Sequence, residues 1–591
     1  MNSLKTKIIL FWKKVRQTLS FLCFNKKGKI NQAEIDKKLV YELSPRKIPN
    51  GQQLKHLKKF LNPKEHLVIK ICLILVLVNL VYLGVVFFKK HIQYSPDFGG
   101  EYIEGVVGYP KTINPLYSTN RDIDNDISRL VYSSLFKYDG QGSLVNDLAS
   151  EVIINNDVEY IIKIKDNAKW HNGDKVTADD VIFTIEAIKN PDYRSPLRNS
   201  LLKVSTEKID EQTVKLTLNS AHAPFLEALT FGILPKNIWV NISPSSAILS
   251  DLNLKPIGSG PYKFKSLLKN KEGDLKEYNL IVNEDYYAAK PYIKNIKFTF
   301  FINYTEAIKA LNDNQIDGLG YLPFAERKEL LAQDSLVLNE LVRPQIVSVF
   351  FNQEKDKALS DKMVRISLTQ AIDKDQIIKD VFNGVYQRAD GPLLVNSFAY
   401  NDQVTKYNYS PQEAAENIQN KLASTTLTVI DSGNNVAVAE KIKMYWEQIG
   451  VVVELKTIPG EQAADTIKNR DFETLIYGEF VGGDPDVYAF WHSSQIGSKG
   501  LNLAGYNNSE VDTLLAEARK TTNQEERKIK YQKFQEHIAT DVPAIFLYSP
   551  TYTYVQSKAV KGFNNSMIIE PANRFTDVSS WYLKTSKKLV W

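Results

Sequence analysis

Hydrophobic positions follow one pattern up to about residue 90 and another beyond it. The stretch 67–88, LVIKICLILVLVNLVYLGVVFF, is apolar on every side and carries Lys70 as its one charge. At about 1.5 Å per residue it makes a helix of roughly 33 Å, enough to cross a hydrocarbon layer of roughly 30 Å. A core helix of a soluble protein would show polar punctuation and caps within about 20 residues. The stretch is therefore expected to span a membrane.

After the linker HIQYSPDFGG the periods shorten and alternate. Residues 101–118 predict a strand followed by a Pro-marked loop. Residues 122–138 carry Ile123, Ile127, Leu130, Val131 and Phe136 at near-helical spacing and then turn at Asp139 and Gly140. Residues 158–165 and 213–218 alternate as strands. Thr177 and Asp180 resemble the two ends of a capping box ahead of VIFTIEAIK, which predicts a helix start. Ser410, Pro411 and Glu413 give a second start signal, and Thr522 with Glu525 a third. Short β-branched strands at 426–430 and 450–455 flank the helical stretch AVAEKIKMYWEQI, an order that predicts a right-handed crossover and a parallel pair. Mixed strands and helices over this length imply an α/β protein of at least two lobes.

Charge orients the span. Residues 1–66 hold 16 Lys or Arg against four Asp or Glu, while the whole chain nets +6, so the part beyond the span is net negative. Positive flanks stay inside, which predicts a single-pass protein of the cell membrane with a cytoplasmic N-terminus and a large domain outside; Lys89 and Lys90 oppose this weakly. The apolar run starts too late for a signal peptide and no small-residue cleavage site follows it, so the anchor is expected to be retained. Cys72 lies within the span behind Lys70 and Ile71, which argues against lipid attachment. The other cysteine is Cys23, so the part beyond the span has no disulfide, cysteine metal site or thiol nucleophile. Residues 1–24 read as a basic interfacial helix or as a disordered basic tail. Residues 25–66 read as a lysine-rich linker, and no nucleic-acid recognition motif accompanies their charge.

The most specific stretch is KWHNGDKVTADDVIF at 169–183. It resembles the signature of the family 5 solute-binding proteins, the peptide- and nickel-binding components of ABC importers. Further blocks resemble that family in the same order: TINP at 112–115, DG at 139–140 with NDLA at 146–149, and GSGPY at 258–262. Phe351-Asn352 with DKMVRISLTQAIDK at 361–374, WEQIGV at 446–451 and GDPD at 483–486 continue the series. Taken singly these are scaffold elements: Asn172-Gly173 suits a hairpin turn, Asp179 and Asp180 a helix N-terminus, Gly258 and Gly260 a turn.

The resemblance implies a two-lobed periplasmic-binding-protein-like fold of type II, enlarged by an extra subdomain and preceded by one transmembrane helix. The implied boundaries are a tail at 1–66, the span at 67–88, a linker at 89–100, a first lobe at 101–350 with the subdomain at about 120–230, a second lobe at 351–545 and a return at 546–591. Crossovers are implied near Asn352 and around residues 545–550, with ligand enclosed as the lobes close. Peptide-binding members commonly place an acid for the ligand's α-amine four residues before the Pro of the late loop. Here that position is Val481, and Glu479 or Asp484 are the acids near enough to replace it. The ligand-binding residues implied are Tyr477, Glu479, Phe480, Asp484, Trp491 and Tyr506, with Phe351 and Asn352 at the hinge. Aromatics in such strands serve equally well as core.

The function implied is peptide capture and delivery to an ABC permease, by a monomer without cofactor or metal. Three rival functions are open to such a chain. A hydrolase lacks support, because the part beyond the span offers His91, His171, His222, His492 and His537 with no G-x-S-x-G, no H-E-x-x-H and no cysteine. A membrane-anchored sensor or scaffold on the same fold would account for the basic tail. Binding of nickel, haem or another small solute is weakened by the scarcity of histidine.

Overall fold

The apolar stretch lies inside a longer helix, Pro63–His91, in the computed structural model, which describes residues 61–330 and 333–589 together with Asp36. The proposed interfacial segment 1–24, Cys23 and most of the basic linker lie outside the described residues. Pro63 occupies the first turn, where its missing N–H is no loss, and the Asn62 N–H donates to the Glu65 carboxylate at 3.0 Å. Lys89, Lys90 and His91 close the last turn, where positive charge suits the carbonyl end. None of the helix's residues is buried, and it is long and apolar enough to cross a membrane. The side-chain amide of Asn79 donates to the Leu75 carbonyl at 2.8 Å, which satisfies a donor within the apolar run.

Residues 95–586 form a separate compact unit. Its first lobe is built on a seven-stranded sheet in the order Leu336–Val342, Thr551–Ser557, Gly318–Leu319, Glu101–Val107, Asn295–Phe301, Leu275–Val282, Tyr262–Lys269. Alternation along Asn295–Phe301 buries Ile296, Phe298 and Phe300 on one face. A four-stranded antiparallel sheet, Ala149–Asn155, Glu159–Ile164, Thr213–Leu218, Val204–Lys208, packs into the same core through Tyr160, Ile162 and Leu216.

The second lobe is a six-stranded sheet in the order Gln387–Arg388, Ala544–Ser549, Gln345–Phe351, Thr474–Phe480, Ser424–Ile430, Val452–Ile458. Its strand Gln345–Phe351 is buried on both faces, with Val347, Val349 and Phe351 in one core and Ile346 and Phe350 in another. Such a strand reads as a continuous apolar run because helices cover both sides. The predicted crossover is present: Ser424–Ile430 and Val452–Ile458 pair in parallel around helix Asn435–Gln448.

Several local expectations shift. The chain leaves the first sheet for the second at Arg343 and Pro344, not near Asn352, and returns at Pro550. Each crossing carries a proline, which lacks the N–H needed to continue a ladder. The Arg343 N–H donates to the Pro550 carbonyl at 3.3 Å, tying the two crossings together. Phe136 belongs to the short strand Phe136–Tyr138 and not to helix Asp122–Val131. Helix Gln524–Asp541 is capped by Asn523, whose side chain accepts from the N–H groups of Glu525 and Glu526. Thr522 instead donates its hydroxyl to Asp157 at 2.6 Å.

Candidate functional site

A cavity of about 470 Å³ opens between the lobes. The first lobe contributes the turn at 141–144 and the 3₁₀ helix Ala223–Leu229; the second contributes 393–398, 481–485 and Arg527. The 3₁₀ helix starts at Ala223 with Pro224 in its first turn and buries Phe225 and Leu229, which leaves Glu227 on the cavity wall. The 481–485 loop is aligned by the Val481 N–H, which donates to the Pro344 carbonyl at 2.7 Å, so the loop is fastened to the crossing between lobes.

The charges on this wall are few. Asp484 accepts from both terminal nitrogens of Arg527 in a forked pair, one arm at 2.7 Å. Beside it, Arg519 Nε donates to Asp486 at 2.8 Å. Glu227 makes no ion pair among the described residues. Burial pushes its carboxyl up to about 7, and the nearby Asp484 charge adds to this, against the Tyr138 hydroxyl and the Arg527 guanidinium. Gly482 has φ +76°, and a Cβ on Gly483 would lie 2.8 Å from both a Glu227 carboxylate oxygen and the Tyr138 ring. Glycine at 483 is what lets the second lobe's loop approach Glu227 this closely.

Of the residues expected at the site, Asp484 is on this cavity wall and the others are elsewhere. Phe351 is fully buried in a core, and the Asn352 amide donates to the Arg470 carbonyl at 3.0 Å at the end of the strand remote from the crossing. Trp491 is buried among Phe350, Tyr506 and Phe546, and the Tyr506 hydroxyl donates to Asp541 at 2.7 Å. Tyr477 is half-buried opposite Ser348, and Phe480 is exposed at the strand end. Glu479 is 4 % exposed beside Ile346, and burial raises its carboxyl well above the usual range. One of its carboxylate oxygens has no hydrogen-bond partner.

The signature residues do scaffold work. The Thr177 N–H donates to the Asp180 carboxylate at 2.9 Å, as a capping box requires, and the other Asp180 oxygen accepts from the Lys236 N–H at 2.8 Å. His171 Nδ1 accepts from the Gly258 N–H at 3.2 Å, so Nε2 is the protonated nitrogen facing the Gly260 carbonyl at 3.2 Å. Burial holds the ring neutral, with its pKa lowered to about 4. Two sequence blocks that resemble the family are thereby one piece of structure. Gly258 has no room for a side chain: a Cβ would sit 1.9 Å from the Val131 carbonyl oxygen.

Sequence reasoning did not find Glu227. It stands in APFLEAL, whose one signal is the proline, and nothing local separates it from the many other acids of the chain.

A model for the bacterial extracellular solute-binding proteins, family 5, matches residues 143–500. The oligopeptide-binding protein AppA of Bacillus subtilis is 28% identical over 518 residues, covering 83% of this chain and 92% of AppA. The solved structure of AppA with a nonapeptide superposes with a TM-score of 0.62 at 27% identity, covering 83% of this chain and all of that one. The ABC transporter substrate-binding protein CtaP of Listeria monocytogenes gives a TM-score of 0.72 at 26% identity, with 82% of this chain and all of that one covered. With more than half of its length matched, the chain belongs to the bacterial extracellular solute-binding proteins of family 5.

Proposed function

We propose that this protein captures peptides between its two lobes outside the cell and delivers them to an ABC permease, without catalysing a reaction. The observation that carries this is the interlobe cavity. Its wall mixes polar side chains such as Gln141, Asn396 and Gln524 with apolar ones such as Leu226 and Leu393, and the glycines at 482 and 483 bring main chain to it. A surface of that kind suits extended peptides, since main-chain donors and acceptors are common to every sequence. The similarity to AppA, solved with a nonapeptide, supports the same reading. We further assign helix Pro63–His91 as an uncleaved anchor, with the basic tail in the cytoplasm and the binding unit acting as a monomer.

The test is mass spectrometry of ligands co-purified with the detergent-solubilised full-length protein, together with thermal shifts from a mixed peptide library. Recovered peptide and a rise in Tm are expected. Recovery of none together with no shift overturns the peptide reading. Retention of the chain in carbonate-washed membranes is expected from the anchor, and its appearance in the soluble fraction overturns that assignment.

A further inference from the structure

The cavity wall carries two carboxylates, Glu227 and Asp484, and one cation, Arg527. Asp484 and Arg527 neutralise one another through their forked pair, which leaves Glu227 as the charge without a counterpart. The other cations near it are engaged as well: Arg129 pairs with Glu570 and Arg519 with Asp486. A carboxylate taken out of water without a cation is expensive, and a protein relieves that cost by pairing it or by protonating it. Among the described residues Glu227 is held by the Tyr138 hydroxyl and the Asp484 main chain, neither of which brings positive charge, and the nearby Arg527 guanidinium is already paired with Asp484.

Resting on the peptide reading, we infer that Glu227 receives an alkylammonium group of the ligand, with Asp484 left to anchor Arg527. The acid then comes from the first lobe, on the 3₁₀ helix Ala223–Leu229, while the loop closing over it comes from the second. Binding of the ligand's cation is thereby coupled to closure, because the 481–485 loop excludes water from the pair only when the lobes meet. The raised proton affinity of Glu227 fits a group that is partly protonated near neutral pH while empty and ionises fully when a cation arrives, with release of a proton. Glu479, which has a carboxylate oxygen without a hydrogen-bond partner, is absent from the cavity wall.

An alkylammonium can be an N-terminal amine or a lysine side chain, so the test uses three pools of otherwise identical synthetic peptides. One has free N-termini and no basic residues, one is N-acetylated and contains lysine, and one is N-acetylated without basic residues. Calorimetric titration of the full-length protein in detergent is expected to show the third pool binding roughly 30-fold weaker than at least one of the others. Whichever of the first two binds identifies the source of the ammonium. Glu227→Gln, which keeps the shape and removes the charge, should level the three pools while retaining a cooperative thermal transition. Equal binding of all three pools by the wild-type protein overturns the inference without any variant and leaves the peptide reading intact. Discrimination that survives in Glu227→Gln also overturns it. Failure of every pool to bind overturns the peptide reading and this inference with it.

Discussion

Arg574 and Glu104 meet at 2.9 Å, guanidinium to carboxylate, with side chains 2 % and 0 % exposed. They join the returning end of the chain to the strand Glu101–Val107, 470 residues earlier. Asp126 accepts from both terminal nitrogens of Arg574, and the hydroxyls of Tyr102 and Tyr554 donate to the remaining Glu104 oxygen at 2.7 and 2.9 Å. Burial raises the Asp126 carboxyl to about 6, with Arg574 opposing. Removing the shared cation strands two buried carboxylates. Arg574→Met should destabilise the protein by about 3–5 kcal/mol, read as loss of the denaturant midpoint. A change below about 1 kcal/mol would mean the network is solvated.

The Asp484–Arg527 pair calls for a cycle. Arg527→Met alone leaves the part-buried Asp484 without its cation and should cost about 3 kcal/mol or more. Combining it with Asp484→Asn should recover a large part of that loss, because no charge is then stranded. Chemical unfolding of the two single variants and the double variant measures the coupling, and strict additivity would contradict the pairing.

Gly483→Ala tests the approach between lobes. The added Cβ meets the Tyr138 ring and Glu227 at 2.8 Å, so closure should cost about 1–3 kcal/mol and Kd for library peptides should rise about tenfold. Each lobe has its own core, so the Tm of the ligand-free protein should move by no more than about 2 °C. An unchanged Kd would show that the loop does not close on Glu227 when ligand binds.

The pH dependence follows from the same residue. The Glu227 carboxyl is raised from its ordinary 4.5 to about 7. A raised acid contributes stability that is complete below pH 4.5 and is lost as pH rises through 7. The charged and titratable groups facing it are Tyr138, Asp484 and Arg527, with Arg129 and Glu570 beyond the tyrosine. Glu227→Gln cannot ionise, so in the absence of ligand it should melt above the wild type at pH 8 and together with it at pH 4. Parallel melting curves at both pH values would place the Glu227 carboxylate in water.

The ordered motifs pointed to the family because each is a local solution to a backbone demand. Gly258 lies against the Val131 carbonyl and Asp180 caps a helix; of the two crossings, the first lies at Pro344 and not near the expected Asn352, while the return at Pro550 falls within the expected 545–550. The site was less legible. Tyr477, Trp491 and Tyr506 have the composition of a pocket, yet packing places Trp491 and Tyr506 in a core and Tyr477 away from the cavity wall. Aromatic residues bury large apolar areas, and sequence alone does not say whether a ligand or another side chain covers them.

By itself the sequence determined what depends on near neighbours: the apolar span, the charge asymmetry across it, the strand and helix periods, the caps and the family pattern. Only the tertiary structure decided which acid of the cavity wall is left without an ion pair among the described residues. Asp484 finds Arg527 on a helix 43 residues later, whereas Glu227 faces the loop at 481–485 and finds none. Electrostatic pairing depends on distance through space, and two residues far apart in the chain have no spacing from which that distance can be read.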